Sequence, residues 1–188
     1  NRPAHAPILI SSKPKTKKES IAVFDIETAS DGTLLDIGLV GDNIPYTVFQ
    51  DWESFLERVT KYNEPVYLYA HNGGRFDVVN LIYTALNTGL VLKNFTGSLV
   101  GGSLMCCRFE YNNTPVEIRD SFLLLRSSLA DITKTFGVSA EKLDVPENFK
   151  SCMEQYKMSH VEQYYRYLKN DVVGLYQVLQ LFSEKIYL

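Results

Sequence analysis

Three short segments place acids where core packing alone would not. Asp25 and Glu27 interrupt the apolar run Ile21-Ala22-Val23-Phe24-Asp25-Ile26-Glu27, and residues two apart in a strand face the same side. Both carboxylates therefore project together, and their repulsion calls for a cation between them or for open solvent. The second segment, Ala70-His71-Asn72-Gly73-Gly74-Arg75-Phe76-Asp77, runs from a strand end through a Gly-rich turn to a helix start, where α/β folds seat ligands. It lacks the GxxxxGK(S/T) pattern of a phosphate loop. The third, Tyr167-Leu168-Lys169-Asn170-Asp171, sets a phenol and a carboxylate one helical turn apart on a shared face. Singly, each has an ordinary explanation: an exposed sheet face, a helix-start acid favoured by the dipole, a solvated helix face. Together they supply four carboxylates, Asp25, Glu27, Asp77 and Asp171, with Asn72 and Tyr167. Hard oxygen donors of that kind hold divalent cations.

Positioning these groups falls to a strand at Ile21–Glu27, followed by strands at Leu34–Val40 and Ile44–Phe49 about a turn at Gly41-Asp42-Asn43. Asp51 is placed to cap a helix over Trp52–Tyr62, with Trp52, Phe55, Leu56 and Val59 along one face. A strand at Pro65–Ala70 leads into the glycine turn and a helix from Phe76 to about Asn87, stopped by Gly89. Ser103–Tyr111 and Pro115–Asp120 alternate as a hairpin across Asn112-Asn113. Helices are expected over Leu129–Phe136, closed by Gly137, and from about Ser159 to Glu184, with a loop at Ser139–Lys150. Strands that begin as a meander and then mix with helices predict an α/β domain with a mixed sheet.

Charge divides along the chain. The first twenty residues carry five basic groups and one acid, whereas the remainder carries 14 basic and 21 acidic groups. Residues 1–19 lack periodicity, contain three prolines and end in a lysine-rich run, as a flexible basic tail or linker would. The acidic body at 20–188 is unlike a passive nucleic-acid binder, which needs surplus Lys and Arg to neutralise phosphates. Three cysteines, two of them adjacent at Cys106 and Cys107, form neither a disulfide framework nor a CxxC zinc site. They are consistent with an intracellular protein. No run of 18 apolar residues is present, so no membrane-spanning helix is expected. The start, Asn1-Arg2-Pro3, reads as the beginning of an excised piece of a longer chain.

Read in order, FDIET at 24–28, NGGRFD at 72–77 and YLKND at 167–171 resemble the three motifs of the DEDD superfamily of 3′–5′ exonucleases, in the variant whose third motif is YxxxD. Asp120-Ser121-Phe122 and Ser128-Leu129-Ala130-Asp131-Ile132 are similar to the (S/T)Lxxh segment of protein-primed family B DNA polymerases from phages, adenoviruses and linear plasmids. Lys142 stands where that branch carries a KxY motif, with Asp144 in place of the tyrosine. The resemblance covers about residues 20 to 186.

It implies a ribonuclease-H-like fold, a mixed sheet of about five strands flanked by helices. It implies two divalent cations, Mg²⁺ or Mn²⁺, held by Asp25, Glu27, Asp77 and Asp171, with Asp25 bridging both and Tyr167 orienting the attacking water. Thr28, His71, Asn72, Phe76, Ser128, Leu129 and Lys142 would contact the 3′ end of single-stranded DNA. Core packing is the competing role for Phe76 and Leu129, and capping of the turn for His71. The implied activity is proofreading, the hydrolytic removal of mispaired 3′ nucleotides as monophosphates. The implied partners are a C-terminal polymerase domain of the same chain and a terminal protein primer. A free-standing exonuclease acting on RNA would not need the SSLADI segment. A catalytically silent nucleic-acid-binding module predicts a missing carboxylate, and none is missing.

Overall fold

In the computed structural model, which describes residues 20–61, 66–140 and 142–186, the apolar run around Asp25 is strand β1 (Ser20–Thr28). The basic tail, the expected helix end at Tyr62 and the expected strand start at Pro65 lie outside the described residues. β1 sits inside a seven-stranded sheet ordered β3-β2-β1-β4-β7-β6-β5. β2 (Leu34–Gly41) and β3 (Ile44–Phe49) follow it as an antiparallel meander. β4 (Val66–Ala70) runs parallel to β1 and to β7 (Thr114–Asp120). β6 (Ser103–Tyr111) and β7 form a hairpin across Asn112 and Asn113, both left-handed at φ 50° and 62°. That geometry is the twisted two-residue turn that asparagine tolerates.

The mixed α/β sheet is therefore present, with more than the expected five strands. The outermost strand, β5 (Lys93–Val100), is exposed along its whole length. With neither face buried it has no alternation to announce it in the sequence.

Alternation along β1 sends Phe24 and Val23 to opposite faces. Phe24 packs with Trp52 and Phe55 of α1 (Trp52–Thr60) and with Leu81 of α2 (Asp77–Thr88). Asp51 caps α1 by accepting the Ser54 N–H at 2.7 Å, a contact worth about 1 kcal/mol. Val23 packs on the other face with Ile132 of α3 (Leu129–Phe136) and with Leu168, Val172 and Leu175 of α5 (Val161–Ile186). Each such buried side chain contributes roughly 2 kcal/mol. Asp25 and Glu27 share the Val23 face, the side covered by α5. At Gly38 of β2 an added Cβ would lie 2.9 Å from Val172 Cγ2. The absent side chain lets α5 seat directly on the sheet beside β1.

The helix expected from about Ser159 to Glu184 is α5, and a further short helix, α4 (Met153–Ser159), precedes it across His160. The ring of His160 stacks on Tyr156 at 5.5 Å and meets Phe149 edge-on at 5.2 Å. Seven residues are too few for α4 to display a helical period. Cys106 and Cys107 lie in β6, and the three cysteines are free. Among the described residues no helix is long and apolar enough to cross a membrane.

Candidate functional site

β1 delivers Asp25 and Glu27, the first residue of α2 is Asp77, and α5 contributes Tyr167 and Asp171. All five line one open cleft of about 870 Å³. Asp77 is tied to the first segment, because its Oδ1 accepts the Ile26 N–H at 3.2 Å, between the two strand acids. Lys142, in the loop after α3, places Nζ 2.6 Å from Asp171 Oδ2 and 3.4 Å from the Tyr167 hydroxyl. The other oxygen, Asp171 Oδ1, is buried and accepts no hydrogen bond.

Burial and mutual repulsion dominate the electrostatics. Asp25 titrates well above the ordinary carboxylate range, chiefly through desolvation and then through Asp77, Glu27 and Asp171, with Lys142 opposing. Glu27 is pushed up to about 8 by desolvation and by Asp171. Asp77 is pushed up to about 7 by desolvation, against the backbone N–H groups that it accepts. Desolvation also raises Asp171 against the pull of Lys142. The Tyr167 phenol is driven above its usual value by burial and by Asp171, so it stays protonated.

Asp120, at the end of β7, builds the loop that presents Asp77. Its carboxylate accepts N–H groups from Asn72 at 2.9 Å, Gly74 at 3.2 Å and Phe122 at 2.9 Å. Asn72 is thereby held at φ 61°. At Gly74 an added Cβ would collide with the Leu104 backbone, so the loop lies flush on β6. His71 is half-buried. In its neutral form Nε2–H donates to the Ser127 carbonyl at 2.9 Å, while Nδ1 lies 3.1 Å from the Ser121 hydroxyl oxygen. Burial lowers its pKa and favours that neutral ring.

Of the remaining residues singled out in the sequence, Thr28, His71, Phe76 and Lys142 also line the cleft. Phe76 is 63% exposed, which sets aside core packing for that ring. Asn72, Ser128 and Leu129 are not among the cleft-lining residues. Ser128 caps α3, its hydroxyl accepting the Asp131 N–H at 3.2 Å. Leu129 packs into the core beneath α5. Sequence reasoning gave Asp120 no structural role and overlooked Asn80. Asn80 Oδ1 accepts from Trp52 Nε1 and its Nδ2 donates to the Gly32 carbonyl, both at 2.9 Å, clamping α2 to α1 and to the β1–β2 turn. Contacts that span 28 and 48 residues leave no local pattern.

The donor set suits hard divalent cations in chemistry and charge. The unsatisfied Asp171 Oδ1 is one open ligand position, and the Lys142 ammonium already serves as a cation at Oδ2. Among the described residues no three acidic, histidine or cysteine side chains are grouped closely enough to hold a metal ion as they stand.

The profile of the family described as DNA polymerase type B, organellar and viral, matches residues 57–188. The DNA-directed DNA polymerase of Enterobacteria phage PRD1 is 30% identical over 132 residues, 69% of this chain and 20% of that polymerase. Phi29 DNA polymerase complexed with single-stranded DNA superposes with a TM-score of 0.66 at 19% identity, over 88% of this chain and 32% of that one. The same polymerase complexed with primer-template DNA and incoming nucleotides gives 0.67 at 18% identity, over 90% and 32%. At such identities these structures establish the shared fold. The chain thus spans between a fifth and a third of the relatives' length.

Proposed function

The chain belongs to the organellar and viral type B DNA polymerases, and from that premise we propose that this region is the 3′–5′ proofreading exonuclease of a protein-primed member. It removes mispaired 3′ nucleotides from a frayed strand as nucleoside monophosphates. The observation that carries this reading is the gathering of Asp25, Glu27, Asp77 and Asp171 from three elements into one cleft, where Lys142 pairs with Asp171. Stability alone would place neutral side chains there, since buried like charges raise one another's cost. The single strand carried by the Phi29 relative supports the substrate class.

Asp25, Glu27, Asp77 and Asp171 would hold two divalent ions, Mg²⁺ or Mn²⁺. When bound, such ions supply an activated water and neutralise charge on the leaving 3′-oxygen. Tyr167, held protonated, orients an oxygen by donating a hydrogen bond rather than by removing a proton. Lys142 offsets carboxylate charge in the free protein. Phe76 offers an exposed ring face to a terminal base, and His71 fixes the turn beneath it. The region works inside the cell with a C-terminal polymerase domain and a terminal protein primer.

The test is a 3′-labelled strand incubated with Mg²⁺ or Mn²⁺. Labelled monophosphate should appear, and faster from mismatched than from matched duplex ends, because unpairing a matched end costs a few kcal/mol. Release from the 5′ end, or equal rates at both kinds of terminus, overturns the reading.

A further inference from the structure

Two turns beyond Phe76, helix α2 presents a second aromatic ring to the same cleft. Phe76, Val79 and Tyr83 all line it, and they are 63%, 49% and 66% exposed. Their spacing puts them on one stripe of the helix, while Val78 and Leu81 face the core. Core packing therefore explains the second pair and not the first three. The stripe is also rigid, since Asn80 clamps the middle of α2 to α1 and to the β1–β2 turn.

Distance and charge indicate what lies on it. Seven helical residues from Phe76 to Tyr83 span about 10 Å, and nucleotides along one strand rise about 3.4 Å each. Tyr83 thus stands about three nucleotides from a base at Phe76. Arg75 and Lys150, both exposed, line the same cleft. Lys150 holds a surface pair with Glu147 at 2.6 Å, with 54% and 86% of the two side chains exposed. A pair so exposed is weak and yields readily to a phosphate.

We propose that Tyr83, flanked by Val79, is a second stacking step for single-stranded DNA. It holds the base three or four nucleotides from the 3′ end, with the intervening phosphates toward Arg75 and Lys150. This rests on the exonuclease reading above and extends it from the terminal nucleotide to the length of strand engaged.

The experiment measures binding of oligothymidylates of two to eight nucleotides, each with a non-hydrolysable 3′-terminal linkage, by fluorescence anisotropy in Mg²⁺. For the wild-type chain, affinity should step upward between two and about five nucleotides. Tyr83→Ala should weaken six-nucleotide binding about tenfold and leave the dinucleotide unchanged, whereas Tyr83→Phe should retain the affinity, because stacking needs only the ring. An abasic site at the third and fourth positions should weaken the wild type by the same factor and add nothing to Tyr83→Ala. Equal six-nucleotide affinity for wild type and Tyr83→Ala overturns the proposal and leaves the stripe as a surface covered by protein. Failure of the exonuclease reading looks different, because the wild-type chain would then bind neither length.

Discussion

The acids of the cleft beside β1 and the buried Asp36 of β2 are neighbours treated in opposite ways. Asp36 faces Glu27 directly across the antiparallel ladder. It is fully buried, yet it is closed off: its Oδ2 takes the Lys157 ammonium at 2.6 Å and the Tyr164 hydroxyl at 2.8 Å. Across the ladder, Asp25, Glu27, Asp77 and Asp171 share one cleft in which Lys142 pairs with Asp171 Oδ2, while the other oxygen of Asp171 has no donor at all. A buried acid with its own cation and hydroxyl is a structural joint, here fastening α4 and α5 to β2. Buried acids short of positive charge form a site that waits for it. The difference lies in the partners and not in the residue type.

Removing one acid on the open side should have the largest effect. Asp171→Ala should lower turnover by about 10⁴-fold, the scale expected when a residue of a catalytic unit is removed. Tyr167→Phe keeps the ring and deletes one oriented hydroxyl, so it should cost about 2–4 kcal/mol, or roughly 10²–10³ in rate. Turnover and Mn²⁺ titration measured side by side separate the two, since only Asp171→Ala should weaken the metal. Full activity in Tyr167→Phe would return Tyr167 to the part of an ordinary helix-face aromatic.

On the closed side the loss should fall on stability instead. Lys157→Met leaves Asp36 charged and buried without its cation, which should cost about 3 kcal/mol, or roughly 10 °C in Tm for a chain of this size. Pairing it with Asp36→Leu should recover much of that loss, because both charges then leave together. Below the new Tm the single variant should keep its exonuclease rate. A melting temperature within a degree of wild type would show that the pair is not the joint described.

Much of this contrast is legible in the sequence on the open side and little on the closed side. Asp25 and Glu27 advertise themselves because acids break an apolar strand, and Asn72 to Asp77 because glycines mark a strand-to-helix turn. The Asn112-Asn113 turn and the caps at Asp51 and Gly89 are equally local signals. Asp36 sits in a strand of mixed pattern, and its cation comes from 121 residues further along the chain. Asp120 looked like part of a family segment, while its three backbone contacts depend on a loop folded against it. β5 has no buried face, and α4 is too short to show a period. Tyr83 was hidden for a different reason: an aromatic in an amphipathic helix reads as core until its exposure is known.

The last expected effect concerns pH. Asp77 and Glu27 titrate near 7 and 8 in the folded chain, against about 4 when unfolded. A raised carboxylate pKa means that the folded state binds the proton more tightly, so folding is favoured while these groups remain protonated. Stability should therefore fall as pH climbs from about 5 to 8, the reverse of an acid held by a salt bridge. In EDTA the decline should be on the order of 10 °C in Tm across that range, since each raised group loses about 1.4 kcal/mol per pH unit between its unfolded and folded values. Mn²⁺ should offset it, and its own stabilisation should be larger at pH 8 than at pH 5, because it binds the charged carboxylates and only in the folded chain. Glu27→Gln should flatten the decline, since it removes one of the titrating groups, whereas Lys157→Met should shift the curve downward without flattening it. A Tm in EDTA that is level from pH 5 to 8 would mean that the cleft acids already have partners, and the contrast between the two sides of the ladder would be lost.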